Sequence, residues 1–114
     1  MLRVRNLTKD STLAASARHA RSAWQRTRGL LGHPPLGPGE GLVIEPCNSV
    51  HTLFMGYALD VVFAADDATV LGVQTIAPWR FSKLWWGARY AIELPSGSAA
   101  DTSAGDQLSL EDAA

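Results

Sequence analysis

The residues most capable of chemistry lie in one short stretch that begins at Cys47. This stretch holds the only cysteine of the chain together with Ser49 and His51, and Asp60 follows inside an apolar run. A cysteine or serine becomes a nucleophile when a histidine takes its proton and a carboxylate orients that histidine. A small hydrolase or transferase that uses His51 and Asp60 with Cys47 or Ser49 is therefore one interpretation.

Spacing argues against that interpretation. In an extended strand the α-carbons of Cys47 and His51 would be about 13 Å apart, so a dyad requires a bend between them. The set also lacks a short ligand pair such as Cys-x-x-Cys, so we expect no metal and no cofactor. The favoured interpretation is structural, with Cys47 buried as a small apolar residue. His51 would then donate to a backbone carbonyl, and Asp60 would tie down a turn or the glycine-rich loop.

Two carboxylates lie inside apolar runs, where burial without a partner is costly. Asp60 is expected to be hydrogen-bonded or to face a cleft. Glu93 is expected to form an ion pair with Arg28, Arg80 or Arg89.

A second cluster of unusual composition is the loop 79–86. It contains Trp79, Trp85 and Trp86 beside the cations Arg80 and Lys83. Aromatic faces next to cations can stack a sugar, a base or an apolar peptide side chain. Four of these residues, Trp79, Arg80, Trp85 and Trp86, are therefore candidate ligand-binding residues on a lid. The alternative is that the loop folds its tryptophans back over the open end of the fold.

Length and composition indicate one globular domain. The chain has 114 residues, 46% of them hydrophobic, and a net charge of −1. The balanced charge argues against nucleic acid as a partner. The sequence contains no run of 18 apolar residues, so we expect no membrane-spanning segment. The first ten residues lack the apolar core of a secretory signal. We expect a cytoplasmic monomer.

Short apolar runs separated by turn-forming residues predict mainly β structure. Alternation at 2–7 and 12–18 around a polar turn predicts a hairpin, and six further strands are expected, at 42–45, 50–55, 59–65, 69–76, 90–94 and 107–110. A helix is predicted for 22–31, capped by Ser22 and stopped by Gly32, with Arg18, Arg21, Arg26 and Arg28 on a solvated face. The proline- and glycine-rich segment 33–41 must be a loop. These elements predict a small β-sandwich or a partly closed barrel with one helix packed at an end. Residues 111–114 are expected to be a disordered tail.

Several motifs together resemble the bacterial and archaeal family called domain of unknown function 192 (DUF192). They are Arg-Gly-Leu-Leu-Gly at 28–32, Gly-Glu-Gly at 39–41, Glu-Leu-Pro-Ser-Gly at 93–97 and Gly-Asp at 105–106. The segment 54–63 keeps the family's Met55, Leu59, Asp60 and Phe63 but lacks its tryptophan, threonine and proline. The resemblance spans nearly the whole chain and implies one domain over 1–110 with a small β-sandwich fold.

These observations favour a binding or accessory module over an enzyme. The cleft we expect is bounded by His51, Asp60 and the 79–86 loop. Its ligand would be an unidentified small molecule or protein. The hydrolase or transferase described above is the rival interpretation, and a purely structural domain is a second alternative.

Overall fold

The computed structural model describes residues 1–113, which form seven strands and one helix. The elements are β1 (Leu2–Asn6), β2 (Ser11–Ala20), α1 (Ala23–Arg28), β3 (Glu40–Ile44), β4 (Leu59–Ala64), β5 (Val70–Ile76), β6 (Tyr90–Pro95) and β7 (Leu108–Asp112). All seven strands belong to one sheet in the order β5-β4-β6-β3-β2-β1-β7. Neighbouring strands are antiparallel except β2 and β3, which run parallel.

The sheet curls into a half-barrel whose two edges meet at one end. There the amide of Val70 donates to the carbonyl of Asp106 at 2.8 Å, and the amide of Leu108 donates to that of Ala68 at 2.9 Å. The mainly β class and the partly closed barrel are thus confirmed. The protein does not form a two-sheet sandwich, because every strand is hydrogen-bonded into the same sheet.

Two apolar cores lie on opposite faces of this sheet. Successive side chains of a strand point to opposite sides, and in β4 Val62 and Ala64 join one core while Val61 and Phe63 join the other. The first core lies inside the barrel. The second core lies on the outer face, where residues from 47–57 and 85–88 and the segment after α1 pack over it.

The predicted hairpin is confirmed, and the helix is confirmed in place but is shorter than predicted. Ser22 caps it as expected, since its Oγ accepts from the amide of Gln25 at 3.1 Å and the Gln25 side chain bonds back to the Ser22 amide at 3.2 Å. The helix ends at Gly29, not Gly32, because Gly29 takes a φ of 51°, which turns the chain out of the helix. No helix within 1–113 is long and apolar enough to cross a membrane.

Two expectations about strands are wrong. Residues 50–55 form turns with a single bridge at His51, because their backbone bonds go to the 79–85 segment and not to the sheet. At the other end, Glu111 and Asp112 pair with Arg3 and Leu2 in the β1–β7 ladder, so the predicted tail does not begin at 111. Of that tail, residue 114 lies outside the described residues.

Candidate functional site

Asp60 is a structural residue on the inner face of the sheet. Its side chain is 3% exposed, and Oδ1 accepts from the hydroxyl of Thr75 at 2.8 Å. Oδ2 accepts from the amides of Gly97 and Ala99, both at 3.0 Å. These bonds satisfy the carboxylate and hold the turn after β6 against β4. The turn-tying role predicted for Asp60 is therefore confirmed.

The expected cleft that joins Asp60 to His51 is wrong. Asp60 lies opposite Leu94 of the inner core, whereas Cys47, Ser49 and His51 line a depression on the outer face. The sheet separates the two sets, so Asp60 cannot orient His51 as a catalytic carboxylate would. Among the described residues, no group of three or more His, Cys, Asp or Glu side chains is placed to hold a metal ion.

The depression on the outer face is a cleft of about 140 Å³, which we call the Glu93 cleft. It lies between the end of α1 with the turn that follows it, the loop 46–55, and β6. Its lining residues are Arg26, Thr27, Arg28, Gly29, Leu30, Leu31, Ile44, Pro46, Cys47, Ser49, Val50, His51, Leu53, Met55 and Glu93. Most of the wall is apolar, and Glu93 supplies its only carboxylate.

Glu93 is buried in this cleft without a partner. It lies on β6 between Leu42 of β3 and Val61 of β4, both members of the outer core, and it is 3% exposed. Within residues 1–113 no hydrogen bond or ion pair reaches its carboxyl group. Burial in these apolar surroundings raises the pKa of Glu93 to about 7.

The ion pair predicted for Glu93 is wrong, because each expected arginine bonds elsewhere. The Nε of Arg89 donates to Glu45 at 3.2 Å. Arg80 donates to its neighbour's carbonyl at 3.1 Å, and Arg28 donates to the carbonyl of Leu31 at 3.3 Å.

Two further polar groups near Glu93 are buried without partners. Arg26 lines the cleft, and its Nε is buried and unbonded, while its Nη1 reaches the carbonyl of Pro46 only at 3.4 Å. The hydroxyl of Tyr57 is also buried and unbonded. Burial and then the charge of Glu93 raise the pKa of Tyr57. The polar atoms of this region are thus left unsatisfied by the protein itself, which is uncommon in native structures.

Cys47 is half-buried at the cleft and packs against the outer core. Its Sγ donates to the carbonyl of Ser49 at 3.0 Å. Burial raises the pKa of the Cys47 thiol, and nearby Glu93 raises it further, although the charge of Arg26 acts in the opposite direction. A thiol held protonated in this way is a poor nucleophile.

His51 is exposed at the rim of the cleft and accepts rather than donates. Its Nδ1 accepts from the amide of Leu53 at 3.2 Å, so in the neutral ring the proton lies on Nε2. The donation to a backbone carbonyl that we predicted for His51 is therefore wrong at this nitrogen. The ring packs against Phe81, with 6.1 Å between ring centroids.

The 79–86 loop pairs with the candidate stretch and does not cover the Glu93 cleft. The amide of Thr52 donates to the carbonyl of Arg80 at 2.8 Å, and that of Ser82 donates to Val50 at 2.9 Å. None of the residues 79–86 lines the cleft, so this loop is not its lid.

The three tryptophans of this loop have different environments. Trp85 is partly buried and packs against the outer core, because its ring stacks on Phe63 at 5.2 Å and lies over Gly72, where any Cβ would collide with it. The ligand-binding role of Trp85 stays a prediction, and this packing already covers one face of the ring. Trp79 and Trp86 are exposed, at 54% and 80%. Trp79 packs on Phe54 at 4.8 Å, and both residues have positive φ angles, of 62° and 65°.

The sequence pointed to Glu93 as unusual but not to its cleft. Its position inside an apolar run was the available signal, because such a carboxylate requires an explanation. The role of Arg26 was missed, because the basic residues around the helix were interpreted together as a solvated face. Only the packing of the turn after α1 against the outer face brings Arg26 to the same cleft as Glu93.

Comparisons with known proteins agree on the family and the fold. The family model DUF192, described as "Uncharacterized ACR", matches residues 5–110. An UPF0127 protein of Pyrococcus furiosus is 32% identical over 111 residues, which cover 90% of this chain and 93% of that protein. A solved protein of unknown function from Novosphingobium aromaticivorans superposes with a TM-score of 0.77 at 18% identity, covering 95% of this chain and 82% of the other. A solved protein from Sinorhizobium meliloti gives 0.74 at 21% identity, covering 96% and 91%.

Proposed function

The chain belongs to the DUF192 family, and we propose that it is a binding protein whose Glu93 cleft takes a small polar molecule. The observation that carries this proposal is Glu93 itself, a carboxyl group 3% exposed and without a partner. Burying an unpaired carboxyl group costs free energy that the fold does not recover elsewhere. A ligand that donates to Glu93 would recover it.

The form of the cleft supports the same proposal. Small-molecule sites are concave and mostly apolar, with a few polar groups that fix the orientation of the ligand. Here Leu30, Val50 and Met55 supply apolar walls, while Glu93 and Arg26 supply the polar groups. A cavity of roughly 150 Å³ holds benzene, so a cleft of about 140 Å³ suits a molecule of similar size.

The rival hydrolase or transferase has less support than a binding role. Asp60 is on the other face of the sheet, and Nδ1 of His51 is occupied by a backbone amide. Cys47 is held protonated by its surroundings. An enzyme would need a nucleophile within hydrogen-bond reach of its base, and the residues that we first considered do not provide this pair.

We keep the exposed residues Trp79, Arg80 and Trp86 as a second proposed contact surface for a small molecule or a protein. Their support is the exposure of the two rings beside a cation. We further propose that the protein is a cytoplasmic monomer. Because its net charge is only −1, we propose that it binds neither nucleic acid nor membrane.

A fragment library screened by thermal shift and by NMR tests the Glu93 cleft. A ligand of the native state raises the melting temperature in proportion to its occupancy. We expect hits that shift the amide signals of β6 and the 46–55 loop and that weaken in Glu93→Gln. Glu111→Gln, a change at an exposed carboxylate of β7, is the matched control and should leave the hits unchanged. A screen in which no hit perturbs the cleft would refute the proposal.

A further inference from the structure

The Glu93 cleft is lined by a buried carboxyl group and by an arginine whose Nε is buried, and the two do not pair with each other. The carboxyl of Glu93 forms no ion pair, and the Nε of Arg26 has no hydrogen-bond partner among the described residues. Both side chains line the same cleft. The lining of this cleft therefore includes an acceptor, the Glu93 carboxylate, and a donor, the Nε of Arg26.

The chemistry of these two groups fixes what a ligand must offer. An ionised carboxylate only accepts hydrogen bonds, and a guanidinium only donates them. A ligand that satisfies both must carry a donor for Glu93 and an acceptor for Arg26. Charged donors and acceptors make the stronger bonds, so an ammonium and a carboxylate are the best complement.

The charge that a ligand brings into the cleft leads to the same requirement for both an ammonium and a carboxylate group. A ligand with only an ammonium group would satisfy Glu93 and leave the buried Nε of Arg26 without an acceptor, and a simple carboxylate would do the reverse. Each leaves one buried polar group without a hydrogen bond, which is costly. A zwitterion compensates both charges and leaves the filled cleft with no additional net charge.

Cleft size and lining limit the remainder of the ligand. With about 140 Å³ in total, the volume left beside the two polar ends suits a short branch. The walls that this branch would meet are Leu30, Val50 and Met55, all apolar side chains. A small aliphatic group fits this lining, and a long or charged side chain does not.

Resting on the proposed binding function, we infer that the Glu93 cleft binds a small zwitterion with an aliphatic branch, of the α-amino-acid type. Its ammonium group donates to Glu93 and its carboxylate accepts from Arg26. Arg28 also lines this cleft and adds positive charge to it. The aliphatic branch lies against the apolar wall.

Calorimetry and NMR titration with three probes that share the same isopropyl branch test this inference. The probes are L-valine, isobutylamine, which lacks the carboxylate, and 3-methylbutanoate, which lacks the ammonium. We expect L-valine to bind roughly 10- to 100-fold more tightly than either analogue, since a hydrogen bond to a charged group contributes about 1.5–3 kcal/mol.

Variants then test which residue binds the ammonium end of the ligand and which binds its carboxylate end. Glu93→Gln should weaken L-valine and isobutylamine but not 3-methylbutanoate, while Arg26→Gln should weaken L-valine and 3-methylbutanoate but not isobutylamine. Arg21→Gln is the matched control, because Arg21 is exposed beside the same helix and does not line the cleft. Arg26→Lys, with a donor retained, provides a second variant should the glutamine protein fold poorly.

The outcomes separate the two proposals. If an analogue with one charged group binds as tightly as L-valine, or if uncharged fragments occupy the cleft and L-valine does not, the zwitterion inference is overturned while the binding function stands. If neither L-valine nor any fragment perturbs the cleft, both fail.

Discussion

Replacing Glu93 by glutamine should stabilise the protein at alkaline pH. Burial raises the pKa of Glu93 from its ordinary 4.5 to about 7 in the folded state. One pKa unit corresponds to about 1.4 kcal/mol, so the ionised carboxylate disfavours the folded state by about 3 kcal/mol. A glutamine side chain has nearly the same shape as glutamate and no charge, so the substitution removes this cost.

The sign of the pH dependence follows from the two protonation states. Below pH 4.5 Glu93 is protonated in both the folded and the unfolded chain, so it costs nothing. Between pH 4.5 and about 7 the unfolded chain loses this proton first, and stability falls as the pH rises. Above about 7 the folded chain is ionised too, and the full cost applies. The advantage of Glu93→Gln should therefore grow from near zero at about pH 4 to about 3 kcal/mol at about pH 8.

Urea denaturation of the wild type and Glu93→Gln at several pH values measures this difference. Other groups titrate as well. Burial and the charges of Arg18 and Arg28 lower the pKa of His33, which reduces stability as the pH falls through about 6.5. Because His33 is present in both proteins, its contribution cancels in the difference between them. Arg26, Arg28, Cys47 and His51, which line the same cleft, and nearby Tyr57 are present in both proteins. The charge of Glu93 raises the pKa of Cys47 and of Tyr57, but burial raises both as well, so these two groups stay protonated over this pH range in either protein.

Glu45→Gln is the matched control, for which we expect a change of opposite sign in the free energy of unfolding. Burial alone would raise the pKa of Glu45, but hydrogen bonds from His19 at 2.8 Å and Arg89 at 3.2 Å outweigh it and lower the pKa. Glu45→Gln should therefore destabilise the protein at neutral pH, with an effect that shrinks as the pH falls below 4.5. A Glu93→Gln difference that stays flat from about pH 4 to about pH 8, or a Glu93→Gln variant less stable than the wild type at the alkaline end, would refute this reasoning.

Three further predictions concern the other candidate residues. Asp60→Ala should lower the free energy of unfolding by roughly 1–3 kcal/mol, because it leaves the amides of Gly97 and Ala99 without an acceptor; an unchanged melting temperature would contradict this. Trp85→Ala should cost roughly 1–3 kcal/mol by emptying the space over Gly72, because the ring is partly buried, whereas Trp86→Ala, at an exposed ring, should stay within about 0.5 kcal/mol; equal effects in urea denaturation would show that the two rings are not distinguished by burial. Cys47 should react slowly with a thiol reagent in the native protein and fast in urea, because its surroundings raise its pKa, and rapid native labelling would restore it as a nucleophile.

Local patterns predicted the elements well where the relevant contacts are local. The first hairpin and the Ser22 cap depend on residues a few positions apart, so their signals are complete within a short window. The 50–55 segment failed for the opposite reason. It has the apolar content of a strand, but the partner that takes its hydrogen bonds is the 79–85 segment, and nothing within its own residues specifies that partner.

The tryptophans of the 79–86 loop likewise show what local sequence could predict about the candidate site and what it could not. Composition marked the 79–86 loop as unusual and could not distinguish its rings from one another. Trp85 packs against the outer core because Gly72 of β5 leaves a space for its ring, whereas Trp86 is 80% exposed. That difference comes from a residue thirteen positions away in the sequence.

The sequence by itself determined that this chain is a mainly β domain of the DUF192 family and that two carboxylates, Asp60 and Glu93, required an explanation. Both inferences rest on composition, short-range alternation and motifs, which are present in the linear order of residues. Only the tertiary structure decided that the two carboxylates have opposite roles. In the β4–β6 ladder Asp60 lies opposite Leu94, whereas Glu93 lies opposite Val61. Adjacent positions of a ladder face opposite sides of a sheet, so one carboxylate meets three donors inside the barrel and the other faces the mostly apolar Glu93 cleft.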